Sequence, residues 1–224
     1  IDYKDRIQVQ SPQVLLSNNP FAPSITRNQF GELIAVSTSY FNEEKTNVSG
    51  IDLELNFFKA TKFGDLDYSI KATQLSKFLT PEFINEENSE IDSTMINRVG
   101  KFNYDANTHS LPKLRLNTFL NFEFKNIFFS INSRYIQGFS NEREIPKSAL
   151  ELGYLNKIKS FLVHDFSITK SFQSSLGEIQ IGFGIINAFD KQAPLLYDAP
   201  DFSFDTRTHE PRGRLVNLSA EFNF

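Results

Sequence analysis

The residue types that carry out most protein chemistry are scarce and scattered in this sequence. Cysteine is absent, which excludes disulfides, thiolate zinc sites, iron–sulfur clusters and cysteine nucleophiles. The histidines are His109, His164 and His209, and no nucleophile elbow, phosphate-binding loop, HExxH pair or EF-hand spacing occurs in the chain. We therefore predict no catalytic residue, no metal site, no cofactor and no enzymatic activity, and interpret the histidines as surface or strand residues without a function.

Carboxylates are concentrated in one polar stretch, residues 82–92. Oxygen ligands of this kind are those that Ca²⁺ prefers, so a calcium-binding loop is one interpretation. A hydrated surface loop is the commoner outcome for such a run of charges, and we favour it; a short helix over 86–99 also fits the pattern. The carboxylates concerned are Glu82, Glu86, Glu87, Glu90 and Asp92.

Arginines in long polar segments are the candidates for ligand binding. These segments lie near residues 10–45, 80–110, 139–156 and 188–212. Loops on a rigid scaffold commonly carry binding residues, so arginines in them could hold an anionic ligand. The candidates are Arg27, Arg143, Arg207 and Arg212. The sequence does not identify the ligand.

Alternation of apolar and polar residues is the dominant pattern, and it predicts eight β-strands rather than helices. The clearest runs are 114–124, 178–185, 217–224 and 51–57, and weaker ones lie near 1–9, 66–79, 127–138 and 157–172. Short links near 60–65, 125–126 and 173–177 alternate with the four long polar segments. Short turns at one end and long loops at the other are typical of transmembrane β-barrels.

The two faces of these strands differ in chemistry. On a membrane barrel the apolar face meets lipid and the polar face lines the lumen, whereas a soluble sandwich turns its apolar face inward. The residues that we predict to face lipid are Leu114, Leu116, Leu120, Phe122, Phe124, Ile179, Ile181, Phe183, Leu218, Phe222 and Phe224. The charged residues that we predict to line the lumen are Lys4, Arg6, Asp52, Glu54, Arg115, Glu123 and Arg134.

Composition narrows the class further. A formal charge of −4 gives no reason to expect a nucleic-acid partner, because phosphate binding needs clustered cations. The longest apolar run, Leu33–Val36, is far too short for a membrane-spanning helix. The 24 phenylalanines favour a membrane barrel, whose aromatic girdles sit at both interfaces, although tryptophan, another girdle residue, is absent.

Short motifs in the last third of the chain resemble the end of the barrel of TonB-dependent outer-membrane receptors. The sequence Asn187-Ala188-Phe189-Asp190, with Pro194 after it, is similar to the family's Asn-Leu-Phe-Asp segment. Phe204-Asp205, Gly213-Arg214 and a final strand ending at Phe224 resemble the family's C-terminal pattern. Upstream, Ser49-Gly50-Ile51-Asp52 resembles the entry into a descending strand.

Physical roles can be assigned to some of these motif positions. Asn187 and Asp190 lie where a strand should leave the sheet, and short polar side chains can bind backbone groups there. Gly213 and Arg214 should begin the last strand, with Arg214 as a rim or lumen charge.

The resemblance implies an all-β fold: about eight C-terminal strands, roughly 15 to 22, of a 22-stranded antiparallel transmembrane β-barrel. Residues 1–224 would then be the C-terminal portion of such a barrel, without the plug domain. The implied function is active uptake of a scarce ligand, such as a siderophore, cobalamin or a glycan, across the cell outer membrane. The implied partners are outer-membrane lipid, the plug and remaining strands, and the TonB complex.

Two other functions fit the alternation. A complete eight-stranded outer-membrane barrel is one, although its narrow interior would have to pair many long charged side chains. A secreted β-sandwich that binds a glycan is the other, and it would be soluble without detergent.

Overall fold

A computed structural model describes residues 1–10, 12, 15–16, 19–81, 95–104, 110–175, 177–199 and 202–223. The chain is mostly β. Its elements are β1 (Asp2–Val9), β2 (Ile25–Arg27), β3 (Leu33–Val36), β4 (Tyr40–Thr61), β5 (Gly64–Pro81), β6 (Met95–Asn97), β7 (Leu114–Phe124), β8 (Ile127–Ile136), helix α1 (Lys147–Glu151), β9 (Phe161–Ser174), β10 (Gly177–Ile186) and β11 (Leu215–Asn223).

Eight of these strands form an antiparallel meander, as the alternation predicted. Their order is β1-β4-β5-β7-β8-β9-β10-β11, so that each strand pairs with its neighbours along the chain. Strand β6 pairs with the end of β5, and β2 and β3 form a separate hairpin. The predicted fold class, an antiparallel strand meander of the kind found in barrel walls, is confirmed.

The described residues fall into two units. The first comprises Ile1–Gly50 and Leu75–Leu111, and the second comprises Ile51–Gln74 and Pro112–Phe224. In the first unit β1 pairs with the beginning of β4, and the end of β5 pairs with β6. The second unit holds the rest of the meander, together with the motifs of the last third of the chain.

Connection length alternates along the meander, which confirms the predicted pattern. Residues 62–63, 125–126 and 175–176 link strands by short turns, and residues 10–39, 82–113, 137–160 and 187–214 are long connections. Gly64 shows why one turn needs glycine: its φ is +139°, and a Cβ there would collide with the carbonyl oxygen of Glu123. We call the two ends of the second unit's strands the short-turn end and the long-loop end.

Three details of the sequence prediction differ from the structure. A short helix over 86–99 was one option; Met95–Asn97 is instead strand β6, which pairs with Leu79–Pro81, and residues 86–94 lie outside the described part of the chain. The motif at Gly50 was expected at a strand entry, but it lies inside β4, which begins ten residues earlier at Tyr40. Helix α1 was not predicted, because five residues are too few for a helical period to show.

Strand register sorts the side chains of the second unit onto two faces. Residues paired across neighbouring strands point to the same side of a sheet. One continuous row, which defines the apolar face, is Leu66, Phe122, Phe129, Ile168, Phe183 and Leu218. The adjacent row, which defines the polar face, is Asp67, Asn121, Ser130, Ser167, Gly184 and Asn217.

The apolar face remains largely uncovered in the structure. Leu218 is 79% exposed and Ile181 is 51% exposed. The fully buried apolar side chains of the second unit instead lie at the long-loop end, and they are Phe139, Ile145, Ala149, Ile158, Phe161, Val163 and Leu196. The core of this unit is therefore formed where the long loops pack, not between two sheets.

Candidate functional site at the long-loop end

Asn187 fixes the place where the chain leaves β10. Its φ of +49° takes the backbone out of the strand, a conformation that Asn tolerates better than most residues. Its side-chain oxygen accepts a hydrogen bond from the Lys191 amide at 2.8 Å, and its amide group donates to the carbonyls of Lys191 and Arg212 at 2.9 and 3.4 Å. The predicted role of Asn187, binding backbone groups at a strand end, is confirmed.

Asp190 joins the same strand end to the start of β11. Its carboxylate accepts a hydrogen bond from the Arg214 amide at 2.8 Å. Gly213 must be small here, because a Cβ at this position would lie 2.7 Å from that carboxylate oxygen. The motif residues Asn187, Asp190, Gly213 and Arg214, distant in sequence, thus form one junction between β10 and β11.

Phe189 of the same motif lies over the apolar face. Its ring is 72% exposed and makes edge-to-face contacts with His164 at 5.6 Å and with Phe166 at 6.2 Å between ring centres. Ser133 lies 2.8 Å from the Nδ1 of His164. The prediction that His164 is a strand residue is confirmed, and Phe189 covers this polar pair.

His209 corrects the sequence prediction, because it is not a surface residue. It is 3% exposed and lies between the rings of Phe139, at 5.9 Å, and Phe161, at 5.2 Å. Burial lowers the pKa of His209, Asp205 opposes the shift, and Arg115 adds to it. A neutral His209 therefore packs as an aromatic ring that holds both long loops against β9.

Asp205 organises the turn that carries His209. It is buried, its carboxylate accepts a hydrogen bond from the Arg207 amide at 3.1 Å, and its carbonyl accepts one from the His209 amide at 2.9 Å. The family-motif aspartate thus has a structural role.

Asn141 connects the two long loops of the second unit. It is 2% exposed, and its side-chain amide donates to the Tyr197 carbonyl at 2.9 Å. Asn156 in turn donates to the carbonyls of Asn141 and Arg143 at 2.9 and 2.8 Å. A buried amide such as that of Asn141 must be paired, so its bond to Tyr197 fixes how the loops meet, while Asn156, at the surface, adds bonds within the first loop. Sequence reasoning missed it, since an asparagine in a polar stretch gives no signal of burial.

A pocket of about 630 Å³ opens between these loops, which is within the size range of small-molecule sites. Aromatic and aliphatic side chains dominate its lining, with Tyr154 and Tyr197 in edge-to-face contact at 5.9 Å. We call it the loop pocket. Its lining residues include Leu152, Tyr154, Leu196, Tyr197, Asp198 and Phe202.

Two of the predicted ligand-binding arginines have carboxylate partners on the same protein. Arg143 pairs with Asp198 at 3.4 Å beside the loop pocket. Arg212 binds both oxygens of Glu210 at 2.9 Å, which lowers the pKa of Glu210 to about 2 and raises the pKa of Arg212. Their charges are therefore matched locally.

The other two predicted arginines belong to different units. Arg207 is exposed on the loop between β10 and β11. Arg27 belongs to the first unit, where its guanidinium donates to the carbonyls of Gly31 at 2.9 Å and Pro20 at 3.4 Å and so closes its own hairpin. Within the second unit, the structure places Arg143, Arg207 and Arg212 on the two packed loops.

Charged residues are paired across the polar face. Lys71 on β5 binds Glu54 on β4 at 3.2 Å, and Arg134 on β8 binds Asp165 on β9 at 3.1 Å. Asp165 was not a candidate in the sequence, although it is the one carboxylate of β9. The predicted lumen residues Asp52, Glu54, Arg115, Glu123 and Arg134 all share this face.

A shallow groove of about 260 Å³ lies on the polar face, across strands β8 to β11. Gly182 and Gly184 form it, because a Cβ at either position would press on Ser219 or Asn217. The two glycines thus leave room on this face for the side chains of Ser219 and Asn217.

The residues predicted to face lipid share the apolar face wherever the structure describes them. Leu114, Leu116, Leu120, Phe122 and Phe124 alternate along β7, and Ile179, Ile181 and Phe183 on β10 pair with residues of β11 that include Leu218 and Phe222. Their contact with lipid stays a prediction.

Several predictions fall outside the described part of the chain. They concern Phe224, His109, the side chains of Lys4 and Arg6, and the carboxylates Glu82, Glu86, Glu87, Glu90 and Asp92. Within the described residues, no group of three or more His, Asp or Glu side chains could hold a metal ion. Over the same ranges, no helix is long and apolar enough to cross a membrane.

Neither a protein-family model nor a curated protein matches the chain. Solved structures do match. Two mutant forms of the ferric enterobactin receptor (PfeA) from Pseudomonas aeruginosa align with 98% of this chain at 16% identity, with TM-scores of 0.52 and 0.51. The chain spans 27% of the length of that receptor.

This similarity confirms the predicted resemblance to part of a TonB-dependent receptor barrel at the level of the fold. The solved structure is that of a receptor, and at 16% identity the similarity concerns the fold alone.

Proposed function

We propose that this chain forms wall and extracellular loops of an outer-membrane receptor that takes up a scarce ligand with energy from the TonB complex. The observation that carries the proposal is the combination of a two-faced meander with long loops at one end only. In this reading residues 1–224 are the C-terminal portion of the barrel. The plug domain, the remaining strands and the TonB complex are its partners.

The dimensions of the apolar face support a membrane location. Strand β7 has 11 residues, as many as a tilted strand needs to cross a bilayer. At about 3.4 Å per residue and a tilt of about 40°, it rises about 26 Å, which matches the height of the apolar band on outer-membrane barrels. A soluble sandwich would instead cover this face with a second sheet.

The loop pocket supports ligand capture at the long-loop end. Asn141, which is buried and donates to the carbonyl of the lining residue Tyr197, holds one wall in place, as suits a preformed site. Beside the loop pocket, the positive charge of Arg143 is balanced by the negative charge of Asp198. Among siderophores, cobalamin and glycans, the pocket therefore favours a ligand bound through ring contacts and hydrogen bonds over one held by charge alone. No chemical step is performed on the ligand.

Uptake assays test the proposal. Cells that lack the gene are compared with complemented cells for accumulation of ferric siderophores, cobalamin and oligosaccharides, with and without a protonophore. We expect one ligand class to accumulate only in complemented, energised cells, and Tyr197→Ala to reduce its uptake at low concentration. The matched control is Tyr68→Ala on the apolar face. Recovery of the protein in the soluble fraction, or uptake that does not depend on energy, would contradict the proposal.

A further inference from the structure

Three lysines at the short-turn end each lie over a phenylalanine ring. The ammonium of Lys62 is 4.8 Å from the ring centre of Phe63, that of Lys125 is 5.0 Å from Phe124, and that of Lys170 is 4.9 Å from Phe172. These distances are within the range of cation–π attraction. The rings are exposed by 65%, 37% and 40%, respectively.

Strand register places these pairs along the border of the apolar face at the short-turn end. Lys170 pairs with Ile127 and Ile181 in the apolar row that also contains Phe124. Lys62 and Lys125 lie in the short turns themselves. The three pairs therefore follow one edge, where the apolar surface ends and polar turns begin. We call this edge the Lys–Phe border.

Charge is segregated at this end of the sheet. The carboxylates of the nearby strand ends, Asp65, Glu123, Glu178 and Glu221, all belong to the polar face. Among the described residues, no ion pair involves Lys62, Lys125 or Lys170. The border thus presents positive charge toward the apolar side, beside rings that can enter the acyl-chain boundary.

We propose that the Lys–Phe border binds the phosphates of anionic phospholipid headgroups in the leaflet on the short-turn side. The inference rests on the proposed membrane location. Each ring lies at the depth of the glycerol region, and its lysine reaches outward to a headgroup phosphate, as amphipathic side chains do at interfaces. The short turns of outer-membrane barrels lie on the periplasmic side, so the phospholipids of that leaflet are the occupants.

The spacing of the lysines favours lipid over a free phosphate ion. Lys62 and Lys125 lie in turns that are separated by two strand spacings, about 10 Å. Lysines spread along an edge in this way suit the row of headgroups that a leaflet offers better than they suit one small anion.

The test uses the intact protein as expressed from its gene, reconstituted in nanodiscs of phosphatidylcholine with 30% phosphatidylglycerol. Lipids retained on the released protein are identified by native mass spectrometry. The charge-removing variant is K62Q/K125Q/K170Q, and the matched control K147Q/K157Q/K159Q removes three charges at the long-loop end. A lysine near an anionic surface contributes about fivefold in affinity. We therefore expect the wild type and the control to enrich phosphatidylglycerol severalfold, and the first variant to fall to the bulk ratio.

Equal enrichment in all three proteins, or equal loss in the control, would overturn the inference. K62R/K125R/K170R keeps the charge and should keep the enrichment. If the triple variant does not fold, K125Q alone, in an exposed turn, should lower the enrichment, and no change would overturn the inference. Failure of the wild type to enter nanodiscs would instead refute the proposed membrane location. Displacement of bound lipid by 10 mM inorganic phosphate alone would show a free-anion site and contradict the lipid assignment.

Discussion

Single side chains replace sheet hydrogen bonds where strands end. Asn187 and Asp190 both have positive φ values, +49° and +51°, and both bind backbone groups of the chain that returns to form β11. The motif at 187–190 is therefore explained by local physics: polar side chains that tolerate left-handed backbone and accept hydrogen bonds from the backbone amides of Lys191 and Arg214.

Asn187→Ala tests this role. The substitution removes three side-chain hydrogen bonds and leaves the Lys191 amide without its acceptor, which should cost about 1–3 kcal/mol. Thermal unfolding of the purified protein in detergent measures the loss. The matched control, Asn223→Ala at an exposed strand end, should change stability by less than about 0.5 kcal/mol. Equal effects of the two substitutions would refute the assigned role.

His209 makes the packing of the long loops dependent on pH. Because its pKa in the folded protein lies below the unfolded value of about 6.5, the unfolded form takes up the proton first as pH falls. The stability that His209 contributes is therefore complete above about pH 6.5 and is lost as pH falls through its folded pKa.

Hydrogen exchange checks this expectation. Corrected for intrinsic rates, the amides of Asn141 and His209 should lose protection between pH 7 and pH 5 in the wild type. His209→Phe keeps an aromatic ring without a proton site, so its protection should not vary over this range. The same pH response in both proteins would exclude His209 as the cause.

At the scale of elements, β7 shows how far alternation leads. The sequence predicted residues 114–124 as a strand, and the structure has Leu114–Phe124. Alternation is a local property, so the sequence of a single strand is enough to predict where that strand begins and ends and which residues share each face. The long-loop end did not follow from sequence, because burial of Asn141 and His209 depends on which loops meet across the sheet.

Leu120 and Asn121 test the two faces directly, since they are neighbours in sequence on opposite sides of β7. Leu120→Arg should cost about 2–4 kcal/mol at mid-bilayer, because an arginine there would face lipid. Asn121→Arg should be tolerated, since it joins the polar row with Asp67 and Ser130. Denaturant titration of the protein folded in lipid vesicles measures both, and equal costs would contradict the assignment of faces.

At the scale of the whole molecule, the fold aligns with the solved receptor structure over 98% of the chain with a TM-score of 0.52, although identity is 16%. Conservation of a fold at such low identity is expected when the pattern of faces and turns, more than particular residues, specifies the structure. The ligand is not specified by that pattern, and the role of the predicted arginines stays a prediction. Arg143 pairs with Asp198, which only tertiary packing brings near, whereas Arg212 pairs with Glu210, two residues away in sequence.

The most direct test is to measure which side chains of β7 face lipid and which face water, position by position along the strand. This chain has no cysteine, so single cysteines at successive positions 117–123 can each carry a spin label in the intact protein once any cysteine outside this chain is replaced. Accessibility to oxygen, which concentrates in lipid, is compared with accessibility to a water-soluble nickel complex. We predict that labels at 118, 120 and 122 favour oxygen and that labels at 117, 119, 121 and 123 favour nickel. Loss of this two-residue period, or the opposite phase, would contradict the proposal that the apolar face of this sheet lies against lipid.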